Sequence, residues 1–213
     1  MTAFGSFADT SSTVEAYRQK GFKVKTVMPI FSQLVEFSLP PGFQKAYEKA
    51  TAKNYILELV LQGETYSHWT QMITVTGEKD LAIKKPQLTP QEFAEGIAKS
   101  FKSECSTTFS HGKAINGNSQ VDGFETFIVV LSCGSHVIPE GAVRETTLFF
   151  VVKGKRDFYT IQWAERGSAS DSKVYIENDP WMGRVKQILP IRLSPVIPPK
   201  NINPMKGPGN QDI

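Results

Sequence analysis

The chain is short of the features that usually announce chemistry. It has only two cysteines and three histidines among 213 residues, and no strong excess of charge of one sign. Nowhere do about 18 apolar residues run together, which excludes a membrane-crossing helix. The 24 Lys and Arg against 21 Asp and Glu leave a net +3, a near balance rather than the basic excess of a nucleic-acid binder. The densest basic pieces, Lys84-Lys85 and Lys153-Gly154-Lys155-Arg156, carry no interleaved aromatics on which bases could stack. No nucleic-acid partner is expected.

The same scarcity argues against a built reaction centre. His68, His111 and His136 lie in three separate segments, with no His-x-x-x-His and no paired-cysteine spacing, so no metal is expected. Glu58, Glu64, Glu125, Glu145 and Glu165 are spread over strands and loops, and none pairs with another as acid and base. The stretch from Gly112 to Gly123 lacks the order of a phosphate-binding loop. No cofactor and no catalytic residue are expected, and the chain is read as a non-enzyme.

What is present begins with Cys105 and Cys133, one at the end of a predicted helix and the other at the end of a long apolar strand. A lone pair on separate elements suits a disulfide in an exported protein. The alternative is a free Cys133 in Ser132-Cys133-Gly134-Ser135-His136, whose neighbouring His136 imidazole would favour a thiolate for a thiol-dependent enzyme. Met1 to Thr13 shows no basic start followed by an apolar stretch, so a periplasmic or secreted location implies a leader already removed.

Three regions are expected: a flexible or short-helical segment over 1–20, one α+β domain over 21–193, and a disordered Pro/Gly-rich tail over 194–213. Ser12-Thr13-Val14-Glu15 opens a short helix that Gly21 ends. Val35, Phe37 and Leu39 alternate as a strand before the Pro40-Pro41-Gly42 turn, Tyr55, Leu57 and Leu59 alternate again, and a third strand at 69–76 places Trp69, Ile73 and Val75 on one face. Thr89-Pro90-Gln91-Glu92 reads as a capping box with proline at the first helical position. Phe93, Ile97 and Phe101 then form an apolar stripe.

Strands follow near 107–115, 124–133, 144–152 and 157–165, with a hairpin turn at Asn116-Gly117. Phe127 to Leu131 and Leu148 to Val152 are apolar on both faces and need cover on two sides. The last strand alternates, which suits a place nearer the edge. Asp179-Pro180 reads as the start of a final helix that Pro190 stops.

The segment Val35-Glu-Phe-Ser-Leu-Pro-Pro-Gly-Phe43, followed by meandering strands, one capped helix, more strands and a terminal helix, resembles the PsbP-like group, which includes DcrB-type envelope lipoproteins. The resemblance implies an antiparallel β-sheet with helices packed on both faces, an α/β/α sandwich, and a role in binding or scaffolding other proteins. The chain departs from the lipoproteins in having no cysteine near its start. A second resemblance is to exported bacterial proteins with Trp-Thr-Gln-Met-Ile-Thr-Val, here at 69–75, and a Glu-Thr-Thr-Leu strand joined through Lys-Gly-Lys to Tyr-Thr-Ile-Gln-Trp-Ala-Glu-Arg, here within 145–166. It implies location and fold rather than an activity.

The expected function is a non-catalytic binding or accessory protein of a bacterial envelope with a protein partner; an inhibitor or immunity protein is a narrower form of it. Antiparallel strands joined near Gly154 bring Arg144, Glu145, Glu165 and Arg166 to one end of the sheet. That predicts a cross-strand charge cluster, read either as an exposed ion-pair network or as the polar rim of a protein-binding patch anchored by His68 and Trp69.

Overall fold

The computed structural model describes Val14, Ala16, Tyr17, Lys20, Phe22 and residues 24–115 and 120–196. The expected hairpin turn at Asn116-Gly117 and most of the 1–20 and 194–213 segments lie outside these residues; Val14, Ala16 and Tyr17 are helical.

Two antiparallel sheets form among the described residues. The small one contains β1 (Val24–Ile30), β2 (Gln33–Leu39) and β11 (Arg192–Pro195), with β2 in the middle. The large one runs in the order β3 (Phe43–Ala50), β4 (Asn54–Leu61), β5 (Gln71–Glu78), β10 (Phe158–Ser168), β9 (Gly141–Lys153), β8 (Phe124–Ile138) and β6 (Phe109–His111), and the short β7 (Gln120–Val121) pairs with β8. Three helices join them: α1 (Leu81–Lys84), α2 (Pro90–Glu104) and α3 (Asn178–Ile188). Because β11 reaches Pro195, ordered pairing continues past the boundary expected at residue 194.

Alternation along the large sheet creates two separate cores. Leu57, Ile73, Val75, Leu148, Phe150, Ile161 and Trp163 face the small sheet, where Val35, Phe37 and Leu193 meet them, and Trp181, Val185 and Ile188 of α3 join the same core. Val129, Leu131, Phe149, Val151 and Phe158 face the other way, toward Ala82 of α1 and Ala94 of α2. Burying each Phe or Leu of these sets contributes about 1.5–3 kcal/mol. The doubly apolar stretches of β8 and β9 are thereby covered on both sides, as their composition requires.

The expected α/β/α sandwich does not form. One face of the large sheet carries α1 and α2, but the other is covered by a second sheet alongside α3, so the chain is a mostly antiparallel, two-sheet structure. The reason lies in β1, β2 and β11, whose buried positions, including Ile30, Val35, Phe37 and Leu193, supply an apolar face of their own. Close approach of this layer needs Gly77 on β5, where a Cβ would sit 2.6 Å from Ile30 Cγ2.

Several local expectations are also revised. β10 is central, hydrogen-bonded to β5 and β9, rather than nearer an edge; its polar alternate residues line an uncovered part of the sheet instead. Helix α3 begins one residue before Asp179 and has no side-chain cap, with Glu177 at the capping position. Trp69 precedes β5 and belongs to its entry loop, while Ile73 and Val75 enter the core. The Thr89 capping box forms in full: Thr89 Oγ1 accepts from the Glu92 amide at 3.2 Å, and Glu92 Oε2 accepts from the Thr89 amide at 2.8 Å.

Candidate functional site

Helix α2 lies over β8, β9 and the start of β10, because its Phe93 stacks on Phe158 at 5.3 Å and its Phe101 meets Phe149 edge-on at 5.7 Å. It does not reach β4 and β5. The same face of those strands and of the second half of β10 therefore stays partly open, and it carries polar residues, Glu58 on β4, Thr74 and Thr76 on β5 and Gln162 on β10, beside Ile56, Met72 and Ala164. The buried Thr160 links two of the polar residues from beneath: Thr76 Oγ1 and Thr160 Oγ1 are 2.7 Å apart, and Gln162 Nε2 donates to Thr160 Oγ1 at 2.9 Å.

This floor belongs to a groove of about 640 Å³. One wall is Phe101 and Glu104 of α2, and the far end is closed by the loop before β5, with Tyr66 and Trp69, and by the β8–β9 turn, with Ile138 and Glu140. Such a size, with aromatic side chains set among polar and charged ones, suits a ligand or a partner segment. The loop is held in place from both sides. Glu64 accepts from the Thr70 amide at 3.0 Å and from its hydroxyl, and the Arg166 amide donates to Thr70 O at 2.8 Å.

At the rim, the Arg166 guanidinium lies 3.7 Å from the centroid of the Trp69 ring, and its Nε donates to Glu145 Oε2 at 3.1 Å. The two charged side chains are only 16% and 18% exposed, so the pair is sheltered rather than a solvated surface bridge. Arg166 is thus fixed by a carboxylate in its plane and an indole against its face, which leaves a rigid aromatic edge on the groove.

Two polar atoms in the groove have no hydrogen-bond partner: Glu58 Oε2 and Thr147 Oγ1 are both shut off from solvent. Burial pushes the Glu58 carboxyl above its ordinary range, since nothing cationic is placed to offset the loss of water. Groups of this kind cost free energy unless something supplies donors to them.

The structure divides the residues expected to act together. Glu145 and Arg166 are direct cross-strand partners and face the groove beside Trp69. Glu165 and Arg144, one residue out of step, point to the opposite face. There Glu165 accepts from Arg184 Nε of α3 at 2.6 Å, and Arg144 lies across Gly167, where a Cβ would be 2.7 Å from its Nη2. His68 sits outside the groove, exposed, with Nε2 at 3.3 Å from Glu140. Trp163 is buried in the first core, its Nε1 donating to Gln71 Oε1 at 3.1 Å and Arg184 above its ring at 4.9 Å.

The cysteines are joined. Cys105, the residue that ends α2, and Cys133 of β8 form a disulfide with Cα atoms 5.7 Å apart. With its sulfur committed, Cys133 offers no thiolate, and His136 is instead 3.4 Å from Glu104. An oxidised pair fits a compartment outside the reducing cytosol. Among the described residues no helix is long and apolar enough to cross a membrane, and no group of three His, Cys, Asp or Glu is placed to hold a metal ion.

No family model matches the chain, and no curated protein matches it. Among solved structures, a Bacteroides thetaiotaomicron protein is similar over 83% of this chain at 9% identity and a TM-score of 0.41, and this chain spans about half of it, 49%. The yeast Ran-binding protein Mog1p is similar over 79% of this chain and 86% of its own length, at 12% identity and a TM-score of 0.41. At these values neither neighbour informs the reading of the groove.

Tyr66 and Thr147 carry no signal in the sequence, and Glu58, weighed there only as one of five scattered carboxylates, is instead half-buried in the groove. A signal for the floor was available: the strands at 54–61, 71–78 and 158–168 each interrupt the phase opposite their core-facing one with polar side chains, Glu58, Thr74 with Thr76, and Thr160 with Gln162. Strands that meet side by side with that pattern leave one face for something other than the core.

Proposed function

We propose that this protein is a non-catalytic binding or accessory protein of a bacterial envelope, periplasmic or secreted, which takes a segment of a protein partner into the groove below Trp69 and Arg166. The observation that carries this reading is the open groove of about 640 Å³, bordered by the carboxylates Glu104, Glu140 and Glu145 and edged by the Arg166–Trp69 stack. A partner's lysine or arginine side chain would meet the carboxylates at the groove's edge, and Trp69 with Tyr66 would supply apolar contact. The disulfide supports an oxidising location.

The test is site-specific photo-crosslinking in envelope extract, with the crosslinker at Tyr66 on the groove and, as control, at Lys186 on α3. A discrete adduct from position 66 alone, reduced at least about tenfold by Trp69→Ala in a folded protein, is the expected result. Equal adducts from both positions, or turnover of a small substrate that Trp69→Ala abolishes, would sink the proposal.

A further inference from the structure

A second cavity lies on the other side of α2. The Phe93, Ile97 and Phe101 stripe is aimed at β9 and β10, so the flank that meets β8 carries only Ala94 and Ala98. Two methyl groups cannot fill the space beneath them, and a groove of about 570 Å³ opens between α2 and the sheet edge. Its floor is apolar: Phe127, Val129 and Leu131 from β8, with Phe109 from β6. Val129 and Leu131 are buried and the two phenylalanines half-buried, so this is an apolar trough continuous with the second core.

Its rim is cationic. Lys99 and Lys102 project from α2, and Lys113 lies on the segment that follows β6. None of these ammonium groups makes an ion pair among the described residues, and the single acidic side chain on the rim, Glu95, accepts a hydrogen bond from Gln91 Nε2 at 3.1 Å. The groove below Trp69 has the opposite character, with carboxylates Glu58, Glu104, Glu140 and Glu145 around it. An apolar trough with unneutralised lysines at its lip is complementary to a molecule with an apolar chain and one negative head.

We propose that this groove is a binding site for a fatty acid, its acyl chain lying between α2 and β8 and its carboxylate among Lys99, Lys102 and Lys113. The chain gains by leaving water, at roughly fourfold in affinity per buried methylene. The head gains from charges that are close but remain hydrated, which gives preference for an anion without demanding a buried ion pair. The site is separate from the groove below Trp69 and does not depend on it.

The test is equilibrium displacement of a fluorescent fatty-acid probe from the full chain with its disulfide intact, using decanoate, dodecanoate and dodecyltrimethylammonium below their micellar concentrations. Dodecanoate is expected to bind about fifteenfold more tightly than decanoate, and the cation of equal chain length at least about tenfold more weakly than dodecanoate. Ala98→Trp, which fills the trough from the helix side, should abolish binding, and the exposed pair of changes Lys99→Glu and Lys102→Glu should weaken it about tenfold at an unchanged thermal midpoint. The Lys reversals stand on their own if the Trp variant fails to fold. Equal binding of the cationic amphiphile, no dependence on chain length, loss of affinity confined to Trp69→Ala, or no displacement at all would overturn the proposal.

Discussion

Asp157 is fully buried, and its carboxylate accepts from the Ser32 amide at 3.1 Å, the Ser32 hydroxyl, the Asp80 amide at 2.7 Å and the Tyr159 hydroxyl at 3.0 Å. One side chain thereby ties the β1–β2 turn of the small sheet, the turn before α1 and the start of β10. Burial and the adjacent carboxylate push the Tyr159 phenol well above its ordinary value, so it stays a donor throughout the range in which the protein works. Asp157→Ala leaves these donors unpaired in the interior and is expected to cost about 3 kcal/mol or more, measured by urea unfolding. A loss below about 1 kcal/mol would show that the two sheets are held by apolar contact alone. Nothing in the sequence distinguishes Asp157 from the other acids, because its importance comes from three segments 32, 80 and 157 meeting in space.

Among the elements, α2 is fastened at both ends, by the Thr89 capping box and by the bond from Cys105 to Cys133. The bond closes a separation of 28 residues, for which chain entropy gives about 3–4 kcal/mol. Unfolding of the alkylated, reduced protein should show a loss of that order; an unchanged midpoint would mean that α2 docks by its Phe93, Ile97 and Phe101 stripe without help. This helix was legible from its sequence because its signals are local: a cap, a first-turn proline and a four-residue apolar period. The arrangement of the small sheet was not, since β11 finds β2 across more than 150 residues and no local pattern encodes that pairing. The charge cluster was legible in position and misread in direction. Arg144, Glu145, Glu165 and Arg166 do come to one end of the sheet, but period-two alternation sends Glu145 and Arg166 to the groove and the other two to the opposite face, Glu165 to Arg184 of α3 and Arg144 across Gly167.

At the scale of the whole molecule, burial is concentrated where both cores press on the same strands. The middle of β9 and the start of β10 are covered on two faces, whereas β3 is an edge strand whose residues past Phe43 are mostly exposed. Native-state hydrogen exchange should therefore be slowest at Leu148–Val152 and Phe158–Ile161 and fastest among sheet amides in 45–50. Comparable protection in β3 would indicate that another surface covers that edge in solution.

The register of β8 slips once, between Cys133 and His136, where Cys133 faces Glu145 but His136 faces Val143. Upstream of the slip the odd-numbered residues Val129, Leu131 and Cys133 face α2; downstream the even-numbered His136 and Ile138 take over that face and border the groove. The backbone there is also tightly hemmed in, as a Cβ on Gly134 would lie 2.7 Å from Ser172 O. The outline of the groove at this end is thus fixed by how many residues the strand contains as much as by which ones. Deleting a single residue at 134–135 would turn His136 and Ile138 over together, so this short stretch should resist a change in length as strongly as it resists a side chain at Gly134.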